Sequence, residues 1–429
     1  MKAHQVSVAG TPAAAASLIR EAKAHLPALD GLRGLAILLV MCGHVSERFF
    51  SIPHPWRVFA MIGYAGWTGV DLFFVLSGFL ITGILWESRK ARHYFKNFYM
   101  RRTLRLFPLY YGTLIVIFLL WPLLLPHLDV AARLVAPFAA QIRDSGRSSA
   151  FWIWYLTYSV DFMVAFKGYI FPSHFWTLAV EEHFYLLWPL LIHRLDRSKL
   201  ILVTGSLAIG ALLLRCALYP FVSQAAIYVL TPCRLDGLAL GALIALIMRG
   251  NDGPATLQRL ARTLCPVILL VAAALAVYLK GWRQYGFLIQ TLGYSLTAGV
   301  WAILLIFTLV EPRWTRAFSA PWLRFLGKYS YGIYIIHAFV FDYLTRLFNF
   351  AAAPNLSLRQ AFLHGASFVI LAFTLSIVAA MLSWRVLEQP FLRLKAFFPY
   401  ESERSASGAE LVTALAHADA PPAPRPDAT

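Results

Sequence analysis

The sequence predicts an all-α, polytopic transmembrane helix bundle of about ten spans with both termini in the cytoplasm. Composition supports this class, because 59% of the 429 residues are hydrophobic and only 14% are charged. Soluble domains usually carry about 25% charged residues. Several apolar runs are long enough to cross a bilayer, and they are continuous, as in membrane helices, whereas β-barrel strands alternate. A soluble enzyme, a secreted disulfide scaffold and a disordered protein are therefore excluded.

Ten apolar segments are predicted to span the membrane: 31–50, 64–86, 103–125, 175–193, 200–219, 227–248, 264–280, 287–310, 325–347 and 362–386. An eleventh candidate, 148–166, is apolar and aromatic. If it does not cross, 25 of the 38 Lys and Arg residues fall on one side of the membrane and ten on the other. If it does cross, this bias vanishes. Because basic residues collect in cytoplasmic segments, we expect 148–166 to be an interfacial or re-entrant segment on the outer side.

Three regions are expected along the chain. Residues 1–27 form a cytoplasmic segment, 28–398 a membrane-embedded domain, and 399–429 a disordered cytoplasmic tail rich in Ala, Pro, Ser and Asp. The first 26 residues lack the apolar core of a signal peptide, so the first helix must direct the chain to its membrane, expected to be the cell inner membrane. The net charge of +17 is attributed to basic residues that fix the orientation of the chain in the membrane, and not to binding of nucleic acid. The four cysteines form no CxxC pair, which predicts neither a metal site nor a disulfide framework.

Ionisable side chains inside predicted spans are costly in hydrocarbon, so each one indicates a functional site. Arg33 and His44 stand eleven positions apart in the first span, which puts them on one helix face and about 16 Å apart along the axis. Six further groups from four other spans fall at a central to outer depth: Asp71, Glu181, Glu182, Arg234, Asp236 and His337. We expect His44 and these six groups to share one polar cavity, with Arg33 nearer the inner surface. The alternative is a structural ion-pair network, in which Asp236 could simply pair with Arg234.

The two adjacent acids of the fourth span cannot face the same partner, because neighbouring helix positions differ by about 100°. Glu181 shares its face with the polar residues His174, Thr177 and Tyr185, whereas Glu182 lies among apolar ones. The polar face is expected to look into the bundle. The sequence therefore favours Glu181 as the acid of the site.

A basic stretch at residues 89–105 precedes the third span and ends with Arg101, Arg102 and Arg105. Anchoring at the cytoplasmic surface accounts for part of this charge. Arg105, however, lies inside the apolar start of the span. Guanidinium groups form planar forks that fit phosphate oxygens, so the stretch predicts contact with a phosphorylated cytoplasmic ligand, on a face that also meets anionic lipid.

Seven segments together resemble one known family: ALDGLRGLAILLVMCGH, GVDLFFVLSGFLIT, RRTLRLFPLYY, FWTLAVEEHFYLLWP, RLDGLALGALIA, SYGIYIIH and WRVLEQPF. They run in the family's order from about residue 28 to 395, and the chain resembles the acyltransferase-3 family of integral membrane acyltransferases. Two departures concern substrate detail and not membership: Thr177 stands where Ser is common, and His183 where Gln is common. Some members carry an appended extracytoplasmic domain, which the short segment after the last predicted span is not expected to supply.

The resemblance implies transfer of an acyl group, usually acetyl, from cytoplasmic acyl-CoA to a hydroxyl of a sugar, glycan or lipid-linked acceptor, without a metal. The family's essential Arg and His of the first helix, its arginine motif and its Trp-and-acid motif correspond to Arg33 and His44, to Arg101, Arg102 and Arg105, and to Trp176, Glu181 and Glu182. The four arginines are therefore expected to bind the donor.

His44 is the predicted general base, because an imidazole can take the hydroxyl proton near neutral pH as the hydroxyl attacks the thioester. The other catalytic candidates are three acids. Glu181 or Asp71 is expected to orient the ring, and Glu182 is the third candidate. A covalent acyl-imidazole remains the alternative chemistry. Four groups are expected to contact the acceptor: Trp176, Arg234, Asp236 and His337.

The expected partners are membrane lipid and a carbohydrate or lipid-linked acceptor. No nucleic-acid partner is expected, and the sequence does not determine the oligomeric state. A different function class also fits intramembrane His, Asp and Glu: a proton-coupled transporter or a flippase of a lipid-linked or small-molecule substrate. Such proteins more often show broken helices and internal repeats, which the sequence does not show.

Overall fold

The structure is a computed structural model that describes residues 26–49, 60, 63–120, 151–168, 172–348 and 357–400. Within these residues all regular structure is helical, which confirms the all-α class. The α-helices in this part of the chain are α1 (Pro27–Phe49), α2 (Gly69–Ser88), α3 (Tyr94–Ile115), α4 (Phe151–Leu156), α5 (Val160–Lys167), α6 (Trp176–Arg194), α7 (Arg197–Leu218), α8 (Gln224–Val229), α9 (Thr231–Met248), α10 (Gly253–Tyr278), α11 (Tyr294–Val310), α12 (Pro312–Phe318), α13 (Pro321–Phe348), α14 (Leu358–Ser383) and α15 (Gln389–Arg393).

Eight helical segments of the described chain are long and apolar enough to cross a membrane: Pro27–Glu47, Tyr64–Ser88, Tyr94–Leu120, Arg197–Leu218, Gln224–Met248, Gly253–Tyr278, Ile289–Val310 and Arg359–Phe397. The other two predicted spans are also helical, as α6 with 19 residues and α13 with 28, but they do not meet the same criteria of length and apolar character. Each of the ten predicted spans thus coincides with a long helix. That all ten cross, with both termini on the cytoplasmic side, stays a prediction.

The third predicted span differs from the observed helix at its start. The sequence predicted 103–125, whereas α3 begins at Tyr94 and its helical path continues through a π turn to Leu120. An apolar run marks only the part of a helix that lies in hydrocarbon, and the polar turns before it escape the prediction. The motif arginines therefore stand two to three turns inside the helix. Residues 121–125, and the predicted terminal segments 1–25 and 401–429, lie outside the described residues.

The aromatic segment that we expected not to cross forms two short helices, α4 and α5, of six and eight residues. Helices of that length extend only about 9–12 Å, far less than a bilayer. The Tyr110 hydroxyl of α3 donates to the Tyr155 carbonyl at 2.9 Å. The buried Asp161 carboxylate accepts from the Thr231 hydroxyl at 2.7 Å and from its N–H, at the start of α9. The segment thus packs against the bundle as two helices too short to span a bilayer, while its interfacial or re-entrant place on the outer side stays a prediction.

Glycines bring the helices of the site into close contact. A Cβ on Gly327 of α13 would lie 1.8 Å from the Asp30 carbonyl oxygen of α1, so only glycine fits there. A second seam joins α2 and α9, where a Cβ on Gly78 would lie 1.9 Å from the Leu238 carbonyl oxygen. Small residues at helix crossings let backbones approach inside a membrane. These two seams therefore fix how α1, α2, α9 and α13 are rotated relative to one another.

Candidate active site

Three arginines meet in a cavity of about 100 Å³ among α1, α2, α3, α6 and α13, here called the arginine cavity. Its lining includes Arg33 of α1, Arg102 and Arg105 of α3, and Glu181 of α6. Guanidinium groups that face one cavity repel each other, and a bound phosphate would relieve that repulsion. The structure thus brings together three of the four arginines that the sequence assigned to the donor.

The arginine cavity also has carboxylates that offset part of its charge. Arg33 Nη1 donates to Asp30 Oδ1 at 3.2 Å. Arg105 interacts electrostatically with Glu388, a buried residue on the π turn Trp384–Glu388 that follows α14. Sequence analysis did not single out Glu388 as a site residue, although it belongs to the quoted segment WRVLEQPF. The available signal was a carboxylate two residues beyond the last predicted span, inside a segment that carries the resemblance.

Arg101 does not line the arginine cavity. Its Nη1 donates to the Phe398 carbonyl at 3.1 Å, and its guanidinium lies 4.4 Å from the ring centroid of Tyr400. The expectation that Arg101 binds the donor is therefore corrected: it ties α3 to the chain after α15. Lys395 of that chain segment does interact electrostatically with the arginines of the cavity, and sequence analysis overlooked it.

The two adjacent acids of α6 point in different directions, as the helix geometry requires. Glu181 lines the arginine cavity and interacts with the hydroxyls of Ser77 and Tyr185, which lie 2.5 Å from each other. Glu182 points elsewhere, and its buried Oε1 has no hydrogen-bond partner among the described residues. The preference for Glu181 as the acid that faces a cavity agrees with this geometry.

A second cavity, of about 300 Å³, is here called the histidine cavity. Its lining includes His44 and Glu47 of α1, His174, and Trp176 at the start of α6. Aromatic side chains supply much of the remaining wall: Tyr64, Trp67, Tyr228, Tyr285 and Tyr334. Apolar and aromatic walls with a few converging polar groups are typical of a small-molecule site. Of the four residues predicted to contact the acceptor, Trp176 is the one that lines this cavity.

Three imidazoles cluster at the histidine cavity. The His337 ring lies 5.0 Å from the His44 ring and 5.6 Å from the His174 ring, measured between centroids. His337 Nδ1 lies 2.8 Å from the Tyr334 carbonyl and 3.1 Å from that of Ile333. Because carbonyls only accept, this Nδ1 holds the proton and Nε2 is the acceptor. That Nε2 is buried and has no hydrogen-bond partner among the described residues, and His337 itself stands behind the cavity wall.

The carboxylate that faces His44 is Glu47, one turn further along the same helix. Glu47 Oε2 lies 3.8 Å from His44 Nδ1, and both side chains are a little over one-third exposed. Sequence analysis predicted Glu181 or Asp71 in this place. Neither is supported by the structure, because Glu181 lines the arginine cavity and Asp71 is bound elsewhere. The i, i+3 spacing of His44 and Glu47 was a signal that could have identified the pair.

Asp71 and Arg234 form a buried ion pair. Asp71 Oδ1 accepts from Arg234 Nη2 at 2.7 Å, and both side chains are almost fully buried. Four aromatic rings surround the guanidinium, with the Tyr294 centroid at 4.3 Å and those of Phe74, Trp176 and Tyr228 at 5.3–5.9 Å. Neither residue lines one of the two cavities. Arg234 thus supports Trp176 from behind and does not reach an acceptor.

Asp236 pairs with Arg215 and not with Arg234. Arg215 Nη2 donates to Asp236 Oδ2 at 2.9 Å, and the Ser295 hydroxyl donates to the same oxygen at 2.9 Å. Arg215 also donates to the Cys233 carbonyl at 2.6 Å. The sequence-based pairing with Arg234 is therefore wrong, because the nearest carboxylate of Arg234 comes from α2. Asp236 is committed to joining α7, α9 and α11, and it stands outside both cavities.

The expectation of one shared polar cavity is also wrong. His44 and Glu181 line different cavities, whereas Asp71, Arg234 and Asp236 belong to two buried ion pairs. Glu182 and His337 line neither cavity. Tyr334 and Val70 line both cavities, so the two spaces adjoin. Within the described residues, no group of three or more His, Cys, Asp or Glu is arranged to hold a metal ion.

Comparison with known proteins gives a consistent set of similarities. A family model described as an acyltransferase domain matches residues 26–385. The chain is 27% identical over 400 residues to the peptidoglycan O-acetyltransferase OatA of Listeria monocytogenes, covering 89% of this chain and 58% of that protein. It is 26% identical over 384 residues to a putative O-acetyltransferase of Staphylococcus aureus, covering 86% and 57%. It is 27% identical over 389 residues to the putative peptidoglycan O-acetyltransferase YrhL of Bacillus subtilis, covering 87% and 56%. The chain thus spans less than two thirds of the length of these relatives. No solved structure matches it.

Proposed function

The chain belongs to the acyltransferase-3 family of membrane acyltransferases, and on that premise we propose that it transfers an acetyl group from acetyl-CoA to a hydroxyl of a carbohydrate or lipid-linked acceptor. The observation that carries the proposal is the adjacency of two chemically different spaces, the arginine cavity and the histidine cavity. One suits a polyanionic donor and the other a hydroxyl acceptor beside a base. The names of the relatives support acetyl as the acyl group, and two of them support a glycan acceptor.

The donor is proposed to bind through its phosphates at Arg33, Arg102 and Arg105. Each guanidinium offers several N–H donors in a fixed plane, which suits phosphate oxygens better than an ammonium does. By the predicted topology these groups lie near the cytoplasmic surface, where acyl-CoA is available. The thioester arm of the donor would extend from this cavity toward Tyr334 and the histidine cavity.

The acceptor is proposed to enter the histidine cavity from the opposite side of the membrane. Aromatic rings such as Trp176 and Tyr285 provide flat walls, while His44, His174 and Glu47 provide polar contacts. The cavity, at about 300 Å³, is the larger of the two, which suits part of a sugar and not an entire glycan chain. By the same topology the cavity opens away from the cytoplasm, and we expect the protein in the cell inner membrane.

His44 is proposed to act as the general base. Its neutral ring takes the proton of the acceptor hydroxyl while that oxygen attacks the thioester carbonyl carbon. The new C–O bond forms, the C–S bond breaks, and the CoA thiolate leaves and takes up a proton. Glu47 stabilises the imidazolium that forms, because its carboxylate faces His44 Nδ1. An acyl group carried briefly on His44 is the alternative route, and it would leave a covalent intermediate.

The experiment is an assay of the purified full chain in lipid nanodiscs with acetyl-CoA labelled in the acetyl group. Short glycans with free hydroxyls serve as acceptors, and both released CoA thiol and acetylated product are measured. We expect acceptor-dependent thiol release matched by product. A chain that binds acetyl-CoA with no turnover by any hydroxyl acceptor would contradict the proposal. Movement of protons or of a lipid-linked substrate across sealed vesicles without acyl transfer would instead support a transporter.

A further inference from the structure

Tyr334 occupies the wall between the arginine cavity and the histidine cavity. It is one of the two residues that line both, and the other, Val70, has no polar side chain. Tyr334 is itself 7% exposed, so its ring fills the position where the two spaces meet. The ring is packed edge-on against Phe73 at 6.3 Å and beside His337 at 5.7 Å, between centroids.

The Tyr334 hydroxyl is held by two hydrogen bonds to the start of α6. It donates to the His174 carbonyl at 2.9 Å and lies 2.5 Å from the Thr177 hydroxyl. Thr177 lines the arginine cavity and His174 lines the histidine cavity. The hydroxyl therefore links the ring to one lining residue of each cavity. A phenylalanine would fill the same space but could not make these bonds.

The position matters because of the reaction proposed above, on which this inference rests. The thioester approaches from the arginine cavity, whereas the acceptor and any water enter through the histidine cavity. Water can replace the acceptor hydroxyl, since its oxygen can attack the same carbonyl carbon, break the C–S bond and release acetate and CoA thiol. An open passage would thus waste the donor whenever no acceptor is bound.

We propose that Tyr334 is a partition that keeps the donor thioester away from acceptor-side water until an acceptor is present. Its hydrogen bonds to Thr177 and His174 hold the closed position. Swinging the ring aside joins the two cavities and brings the thioester within reach of His44. Tyr334 is a positioning residue in this account, and its role is to couple donor cleavage to acyl transfer.

The first test measures two quantities. With acceptor present it measures coupling, as CoA thiol released per acetyl group transferred, and without acceptor it measures thiol release alone. Tyr334→Phe removes the two hydrogen bonds, and each is worth about two- to tenfold in the population of the open form. We expect acceptor-independent thiol release to rise by the product of the two factors, about four- to hundredfold, and to rise further in Tyr334→Ala. Tyr110→Phe is the matched control, because Tyr110 is also a buried tyrosine, donates to the Tyr155 carbonyl at 2.9 Å, and lines neither cavity. That variant should keep the wild-type ratio.

The second test does not depend on catalysis. Leu80 lines only the arginine cavity, so Leu80→Cys in a chain without its native cysteines reports access to that space. A membrane-impermeant thiol reagent is added from the side that the histidine cavity is predicted to face. We expect slow labelling with Tyr334 present and faster labelling with Tyr334→Phe or Tyr334→Ala. Labelling that is unchanged in both variants would overturn the partition.

The two tests separate this inference from the proposed function. If the wild-type chain transfers no acyl group, the proposed function fails, while the labelling experiment still measures whether Tyr334 closes the passage. If the wild-type chain transfers acetyl and the Tyr334 variants stay fully coupled, the proposed function stands and the partition is wrong. A loss of stability alone lowers the amount of active protein but leaves the coupling ratio unchanged.

Discussion

The imidazole of His337 stands behind that of His44, with 5.0 Å between the ring centroids. Because His337 Nδ1 faces backbone carbonyls of its own helix, its Nε2 presents a lone pair inside the protein. The Glu47 carboxylate faces the same His44 ring, with Oε2 at 3.8 Å from Nδ1. The His44 ring thus lies between a second imidazole and the Glu47 carboxylate. The predictions below begin with this residue.

His44→Ala should abolish acyl transfer while the protein still inserts and folds. General-base assistance contributes typically 10²–10⁴-fold, so residual turnover should be below about 1%. His44→Gln should not rescue, because an amide can hydrogen-bond but cannot take the proton. Turnover and acetyl-CoA binding are measured separately on purified variants. Near-normal turnover in His44→Ala would leave His44 as a packing residue, and loss of donor binding would make it a ligand-positioning group.

Glu47→Gln should lower kcat by about two- to fivefold with little change in KM, since a partly exposed ion pair contributes about 0.2–1 kcal/mol. The carboxylate stabilises the charged ring during the reaction and not the bound substrate. Glu87→Gln is a suitable control, because Glu87 pairs with Arg249 away from both cavities. Equal effects of the two substitutions on kcat would show that Glu47 has no specific relation to His44.

Arg105→Ala should weaken acetyl-CoA binding by about tenfold or more, because a hydrogen bond to a charged group is worth about 1.5–3 kcal/mol. Arg105→Lys should rescue only in part, since the planar fork is lost. Binding is measured by calorimetry on the full chain in detergent.

Arg101→Ala is the matched control for Arg105. It removes the same charge from the same helix, but Arg101 is bonded to the Phe398 carbonyl outside the arginine cavity. We expect a loss of stability with little change in donor affinity. If both variants bind acetyl-CoA as the wild type does, the arginines are membrane anchors and not a phosphate site.

Asp71→Ala should destabilise the protein strongly, because it leaves the Arg234 guanidinium buried without its carboxylate. Breaking a buried ion pair in this way costs about 3–5 kcal/mol. Asp71→Asn, which keeps a hydrogen-bond acceptor, should cost less, and Asp71→Ala combined with Arg234→Met should recover part of the loss. Unfolding in detergent is followed by thermal denaturation. A fully stable Asp71→Ala that has lost turnover would return Asp71 to the catalytic role that the sequence suggested.

The membrane orientation can be tested with single cysteines. Phe166→Cys on α5 should react with an impermeant thiol reagent in intact cells, whereas Lys90→Cys between α2 and α3 should be protected. Both side chains are exposed in the structure, so labelling reports sidedness and not burial. The opposite pattern would reverse the predicted topology and, with it, the sides from which donor and acceptor enter.

The sequence by itself determined the helical class and the approximate place of all ten long helices, and it selected the candidate side chains for the chemistry. Apolar length and the charge bias are properties of one segment at a time, so they can be read without tertiary structure. The same holds for the choice of Glu181 over Glu182, because the angle between neighbours on a helix is fixed. His44 and Arg105 were identified because ionisable groups in apolar surroundings are rare.

Only the tertiary structure decided which of these groups meet. Spacing gives depth along a helix, but the rotation of one helix against another is set by close approaches. Examples are Gly327 of α13 against α1, and Gly78 of α2 against α9. That rotation pairs Asp71 with Arg234, sends Arg33 and His44 into different cavities, and puts Tyr334 between them. One polar level predicted from depth therefore became two cavities and two buried ion pairs, because a buried charge is stabilised by the partner its helix faces and not by every group at its height.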